Sequence, residues 1–224
     1  MENIFYLVNI HPKFIEGISL TKTNSKYNFK KEIFNFSNSK IENKNEKNGL
    51  EKKFWISHLE DFLDEQKWRG HPIAFILPSE EIIFRKIKFP FQERKKVKQA
   101  LPFELEEELI FDLSESSYST KVQSLPEQQS EALILLIRNE KLRQIKKICF
   151  DRDLLVKNVD CSSYALFRSK ILKNSTQNSD NDIFQIYLGS DEAFVNTIKN
   201  GRLDEIKIFP NRISDILQKF TEKE

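Results

Sequence analysis

The chain has 224 residues, with 36 basic and 34 acidic side chains, a formal charge of +2. That length suits one large domain or two small ones, and 39% hydrophobic with 31% charged residues is the balance of a globular chain with a wet surface. Near-neutral charge argues against a nucleic-acid binder working by bulk electrostatics; no apolar run reaches the ~20 residues of a membrane span; and Met1-Glu2-Asn3 is not the basic start of a secretory signal.

Two cysteines, Cys149 and Cys161, cannot build a disulfide framework, and their spacing fits no zinc pattern. They read as two small buried apolar side chains. Only five glycines occur, few for a chain that must bring its backbone close to phosphate.

In chain order, strands are expected at Ile4–Ile10, Phe14–Thr21 and Phe29–Phe36. A polar loop covers Ser37–Asn48, and Asn48 with Glu51 can cap a helix whose Phe54, Trp55, Leu59, Phe62 and Leu63 share one face. Gly70 and Pro72 stop it. Pro72–Leu77 is continuously apolar, as a central strand covered on both faces should be, and Ile82–Phe89 alternates as a half-buried strand whose Phe residues could furnish an edge for strand addition. In the charged helical stretch Phe91–Phe111, Pro102 predicts a break near Leu101 and a fresh helix with proline at its first position. Strands at Tyr118–Leu125 and Ala132–Ile137 follow, then a helix capped by Asn139. A strand at Leu154–Val159 and a helix capped by Ser162 or Ser163 come next. After a polar linker, Asn174–Asp182, strands are expected at Ile183–Leu188, Ala193–Lys199 and Leu203–Phe209, then a terminal helix bearing Ile213, Ile216, Leu217 and Phe220.

The chain opens strand–strand–strand–helix and repeats that order after the linker without obvious sequence identity, an architectural repeat. The expectation is an α/β fold of the actin-like type: duplicated ribonuclease-H-like lobes, mixed sheets flanked by helices, the second lobe incomplete. The first lobe is placed at 1–174 with an inserted subdomain around 79–131, and the start of the second at 182–224.

The segments "ILPSEEIIFRKIKF" (Ile76 to Phe89) and "FPFQERKKVKQALPFELEEEL" (Phe89 to Leu109) resemble the cytoplasmic region of the type II secretion inner-membrane platform protein L (GspL). The matching positions are Leu77-Pro78, Arg85, Pro90, Ala100-Leu101-Pro102-Phe103 and Leu105-Glu106. "VDCSSYALFR", Val159 to Arg168, is similar to the related type IV pilus protein M (PilM), where an Asp ends a strand and an Ala-Leu pair opens a helix. The resemblance implies a scaffold with no ATPase activity of its own, on the cytoplasmic side of the bacterial inner membrane. It would recruit the secretion ATPase through that enzyme's amino-terminal domain. It also implies contact with other inner-membrane platform proteins, room for a homodimer, no nucleic acid, and membrane association through a segment absent from this chain. The alternative is a nucleotide-binding actin-like pilus assembly protein.

Actin-like ATPases open each lobe with a strand and an Asp-apolar-Gly turn that holds phosphate and metal. Here Asn9 stands in the first acid's place and His11 in the glycine's, and Pro12 removes an N–H. In the second lobe Tyr187 replaces the acid while Gly189 remains. Neither amide nor phenol anchors a divalent ion as a carboxylate does, so no cofactor, metal or catalytic residue is expected. A ribonuclease-H-like nuclease would need clustered carboxylates at strand ends, and Ile4–Ile10 has none. His11, His58 and His71 share no ligand spacing. The basic run Arg94, Lys95, Lys96 and Lys98 reads either as a partner or anionic-lipid contact, or as a solvated helix face balanced by Glu104, Glu106, Glu107 and Glu108.

Overall fold

A computed structural model describes residues 3–11, 13–23, 26–36, 54–173, 182–189 and 192–209. Pro12, the Asn48 cap with Glu51, most of the 174–182 linker and the terminal helix expected around 213–220 lie outside the described residues. In chain order the elements are β1 (Asn3–Ile10), β2 (Phe14–Thr23), β3 (Lys26–Asn35), α1 (Phe54–Gln66), β4 (Pro72–Leu77), β5 (Ile83–Phe89), α2 (Arg94–Glu108), β6 (Ser116–Ser124), β7 (Ser130–Arg138), α3 (Asn139–Phe150), β8 (Leu155–Cys161), α4 (Ser162–Lys173), β9 (Ile183–Leu188), β10 (Ala193–Lys199) and β11 (Arg202–Phe209). They form two compact units, Met1–Ser79 with Lys146–Glu224, and Glu80–Ile145.

The first unit holds a mixed five-stranded sheet in the order β3-β2-β1-β4-β8. β1, β2 and β3 form an antiparallel meander; β4 lies parallel to β1, and β8 parallel to β4. That order follows from burial. "PIAFIL" has no polar side chain to offer water, so it takes an interior position between β1 and β8. α1 buries Trp55, Leu59, Phe62 and Leu63. Their helical spacing turns one apolar stripe toward Tyr6, Val8 and Ile10, which alternate along β1 and are buried too. Gly17 on β2 is where α1's layer comes closest: a side chain there would run into Phe62. Gly70, at φ +68°, supplies the left-handed turn that lets Pro72 begin β4. The meander β9-β10-β11 forms a separate three-stranded sheet in the same unit.

The second unit is the antiparallel sheet β5-β7-β6 with α2. Val97, Leu101 and Leu105, four residues apart, put one stripe of α2 into a core with Ile87, Phe89, Ala132, Ile134 and Leu136. This corrects the expected break at Pro102: α2 runs unbroken from Arg94 to Glu108 with Pro102 inside it. The missing N–H frees only the carbonyl of exposed Lys98, which water can satisfy, while the buried stripe on either side holds the helix to the sheet. Pro102→Ala restores that hydrogen bond without removing any residue of the stripe. It is therefore expected to stabilise the protein by about 1–3 kcal/mol, seen as a higher midpoint in urea. A lower midpoint would mean that the proline ring itself packs productively. Asn139 begins α3 as expected, but its amide is spent elsewhere. Its Nδ2 donates to the Ser114 carbonyl (2.8 Å) and its Oδ1 accepts from Ser117 Oγ (2.6 Å), fastening α3 to the start of β6.

Candidate functional site

The end of β1 and its return into β2 carry the first of the two turns. The hairpin register puts Asn9 directly opposite Glu16, and Ile10 opposite Ile15. His11 closes the turn by donating its backbone N–H to the Phe14 carbonyl (2.9 Å), and its ring stacks on Phe14 with centroids 4.0 Å apart. Asn9 Nδ2 lies 2.8 Å from His11 Nε2 and donates to Glu16 Oε2 at 3.3 Å. His11 Nε2 is itself 3.7 Å from that carboxylate, and Lys31 on β3 pairs with Glu16 Oε1. Burial pushes the Glu16 carboxyl up, but the Lys31 ammonium and the Asn9 amide outweigh it and hold the group below the ordinary carboxylate value.

A carboxyl depressed in the folded state contributes stability above its unfolded pKa and loses it as pH falls through the folded pKa. Glu16→Gln should therefore be less stable than the parent at neutral pH. The gap should close below about pH 4, the ordinary range of a glutamate. Denaturation midpoints of both proteins across that range check this; a pH-independent gap would contradict it.

Register extends the row across the sheet: Glu16, Asn9, Ile76 on β4 and Asp160 on β8 are successive partners. Ile76, an apolar residue, separates the two ends of this row. Asp160 Oδ1 accepts the Cys161 N–H (2.9 Å) and Oδ2 faces Arg168 (3.4 Å). Burial pushes its carboxyl above the ordinary value despite these partners. Among the described residues no three His, Cys, Asp or Glu side chains gather as a metal site. His58 lies buried against Phe36 and His71 edge-on to Tyr6. Both cysteines are buried and free; burial lifts the Cys149 thiol to about 12.

The second turn joins β9 to β10. Tyr187 stacks on Phe194 (5.0 Å) directly across the strand pair. Gly189 donates its N–H to the Glu192 carbonyl (2.9 Å), and a Cβ added to it would sit 2.8 Å from the Tyr187 ring. The glycine thus makes room for a tyrosine. Beneath this turn runs a buried polar chain that sequence reasoning missed. Glu192 Oε1 accepts from the Ser79 N–H (2.5 Å), Ser79 Oγ from the Ser163 N–H (3.0 Å), and the Ser163 carbonyl from Asn196 Nδ2 (2.8 Å). It joins the end of β4, the start of α4 and β10.

The basic run lies on α2. Arg94, Lys95, Lys96 and Lys98 are all exposed, with Lys95 and Lys96 turned away from the stripe of Val97 and Leu101. Lys96 pairs with Glu93 (2.7 Å). α2 has no side-chain N-cap and no acid in its first turn, so the run opposes the helix dipole at a cost of a few tenths of a kcal/mol per charge, about 1 kcal/mol at most in all.

Neither a family model nor a curated protein sequence matches this chain. Solved structures do. A chain of the PilM–PilN type IV pilus biogenesis complex superposes with a TM-score of 0.72 at 13% identity, over 97% of this chain and 65% of that one. The cytoplasmic domain of EpsL, an inner-membrane component of the type II secretion system of Vibrio cholerae, gives 0.57 at 12% identity, over 92% and 71%. A Bacteroides thetaiotaomicron protein with an actin-like ATPase fold and unknown function gives 0.53 at 10%, over 98% and 77%. The protein has the actin-like fold, and it spans about two thirds of the length of the pilus chain. Within that class it is similar in structure to the pilus chain and to the EpsL cytoplasmic domain, the relation that the Ile76–Leu109 and Val159–Arg168 motifs pointed to. Among the described residues, no helix is long and apolar enough to cross a membrane.

The actin-like class implies a magnesium nucleotide, and the residues present do not fit one. In the first turn the acid is a neutral amide whose Oδ1 is buried without a partner and whose Nδ2 is engaged by His11 and Glu16. The neighbouring carboxylate is already neutralised by Lys31. In the second, a phenol ring fills the space above the glycine.

Proposed function

We propose that this chain is a non-catalytic cytoplasmic domain of an inner-membrane secretion or pilus platform, which recruits the assembly's ATPase rather than hydrolysing ATP itself. The observation that carries the reading is the pair of turns. Each lobe keeps the strand-turn-strand geometry of an actin-like nucleotide site, and each fills it with its own side chains. A fold retained without its site serves as a body for recognition surfaces. The basic run on α2 is the surface we assign to the ATPase's amino-terminal domain, since solvated lysines and arginine can meet an acidic partner at little desolvation cost. Between the two machines, the higher TM-score to the pilus chain, 0.72 against 0.57, favours the pilus side.

The test is to mix the purified chain with the amino-terminal domain of the secretion or pilus ATPase from the same organism and measure association at moderate salt. A complex is expected, and reversing Lys95 and Lys98 to glutamate should weaken it without lowering the thermal midpoint, since acids suit the start of a helix better than bases do. Absence of a complex between two folded partners would count against recruitment. Each contact can be modest, because several platform copies on one ATPase ring gain avidity.

A further inference from the structure

β3 is the outer strand of the five-stranded sheet, and among the described residues nothing pairs with its free edge along all ten residues, Lys26–Asn35. Tyr27, Phe29 and Ile33 alternate on the face away from α1 and are 61%, 74% and 55% exposed. The other face carries Lys30 and Glu32, paired to each other at 2.5 Å. A long edge bearing exposed apolar side chains is a template for another strand unless charge forbids it. Here the charges are arranged so that one register with a second copy is favourable.

We infer that β3 is a homodimer interface, in which two copies pair their β3 strands antiparallel about a twofold axis at Lys31. A twofold normal to the sheet makes one residue of the strand oppose its own copy, and Lys31 is the position that matches the rest. Phe29 then lies opposite Ile33 of the second copy, and Lys30 opposite Glu32, each pair occurring twice. The two Lys31 residues on the axis bring little repulsion, because each is already held by its own Glu16. An axis at Lys30 instead sets Phe29 against Lys31 and gives up both Lys30–Glu32 pairs, leaving Glu32 opposite Asn28. The apolar and charge matches therefore favour this register over its neighbour. The pairing is isologous and closes at two copies, joining two five-stranded sheets into one. It stands independently of the function proposed above.

Sedimentation equilibrium of the full chain across a concentration series tests this. The parent should reach a monomer–dimer equilibrium. Lys30→Glu, which faces Glu32 with a like charge twice over, should weaken the dimer about tenfold, and Glu32→Lys should do the same. The double variant K30E/E32K recreates the opposed charges and should return to the parent's affinity. Phe29→Asp should give a monomer with unchanged circular dichroism. A chain that stays monomeric throughout, or a dimer indifferent to these exchanges, would overturn the assignment.

Discussion

Gly17→Ala is expected to destabilise the protein by about 2–3 kcal/mol, and larger residues there to prevent folding. The cause is the contact between β2 and the layer under it. A Cβ at this position would overlap Phe62 and approach Trp68 Cη2 to 2.7 Å. Neither ring can retreat. Phe62 is fully buried and meets Trp68 edge to face (5.4 Å), and Trp68 is stacked flat on Tyr6 at 4.3 Å. Rotating one therefore displaces the others from close packing. Urea denaturation measures the loss. Phe62→Leu, which withdraws the atoms nearest to the glycine, should cost less in the Gly17→Ala background than in the parent, because the two sites share one space. If the two changes simply add, the overlap is not what makes the glycine necessary.

Glu192→Ala should cost a similar amount, about 3 kcal/mol, for a different reason. The Glu192 carboxylate is the acceptor for the Ser79 N–H, and both residues are buried. Alanine leaves that donor without a partner and opens a void at the head of the polar chain through Ser163 and Asn196. Because this chain ties β10 to the ends of β4 and α4, amide exchange in β10 should accelerate along with the global loss. Glu192→Gln retains an acceptor of the same length and should recover most of the stability. An alanine variant within about 0.5 kcal/mol of the parent, the range of an inconsequential surface change, would show that the chain carries no load.

How much of this was legible beforehand depended on distance along the chain. β4, β9 and β10 were placed residue for residue, because apolar runs bounded by Gly, Pro or polar residues report local periodicity. The two turns were legible for the same reason: Asn9, His11, Tyr187 and Gly189 each lie at a fixed offset from a strand. The groups that fill those turns were not. Glu16 reaches Asn9 through hairpin register, Lys31 reaches Glu16 through a second hairpin, and Asp160 joins the row only through two parallel crossovers. The first could have been found by pairing Ile10 with Ile15 and counting one step back. Asp160 could not, because nothing local specifies which strands neighbour one another. Pro102 shows the converse error. The rule against proline in a helix weighs one lost hydrogen bond and a ring clash, whereas a stripe of three buried side chains in α2 outweighs both. Tertiary burial decided the outcome, and the local rule had no access to it.

The central claim is that an actin-like body has exchanged its nucleotide site for internal contacts. Isothermal titration of the folded chain with ATP and magnesium tests it most directly. The account predicts no heat beyond dilution at micromolar nucleotide, since Asn9 and Glu16 are engaged with His11 and Lys31, and Tyr187 occupies the space over Gly189. Saturable binding with a micromolar dissociation constant would contradict it.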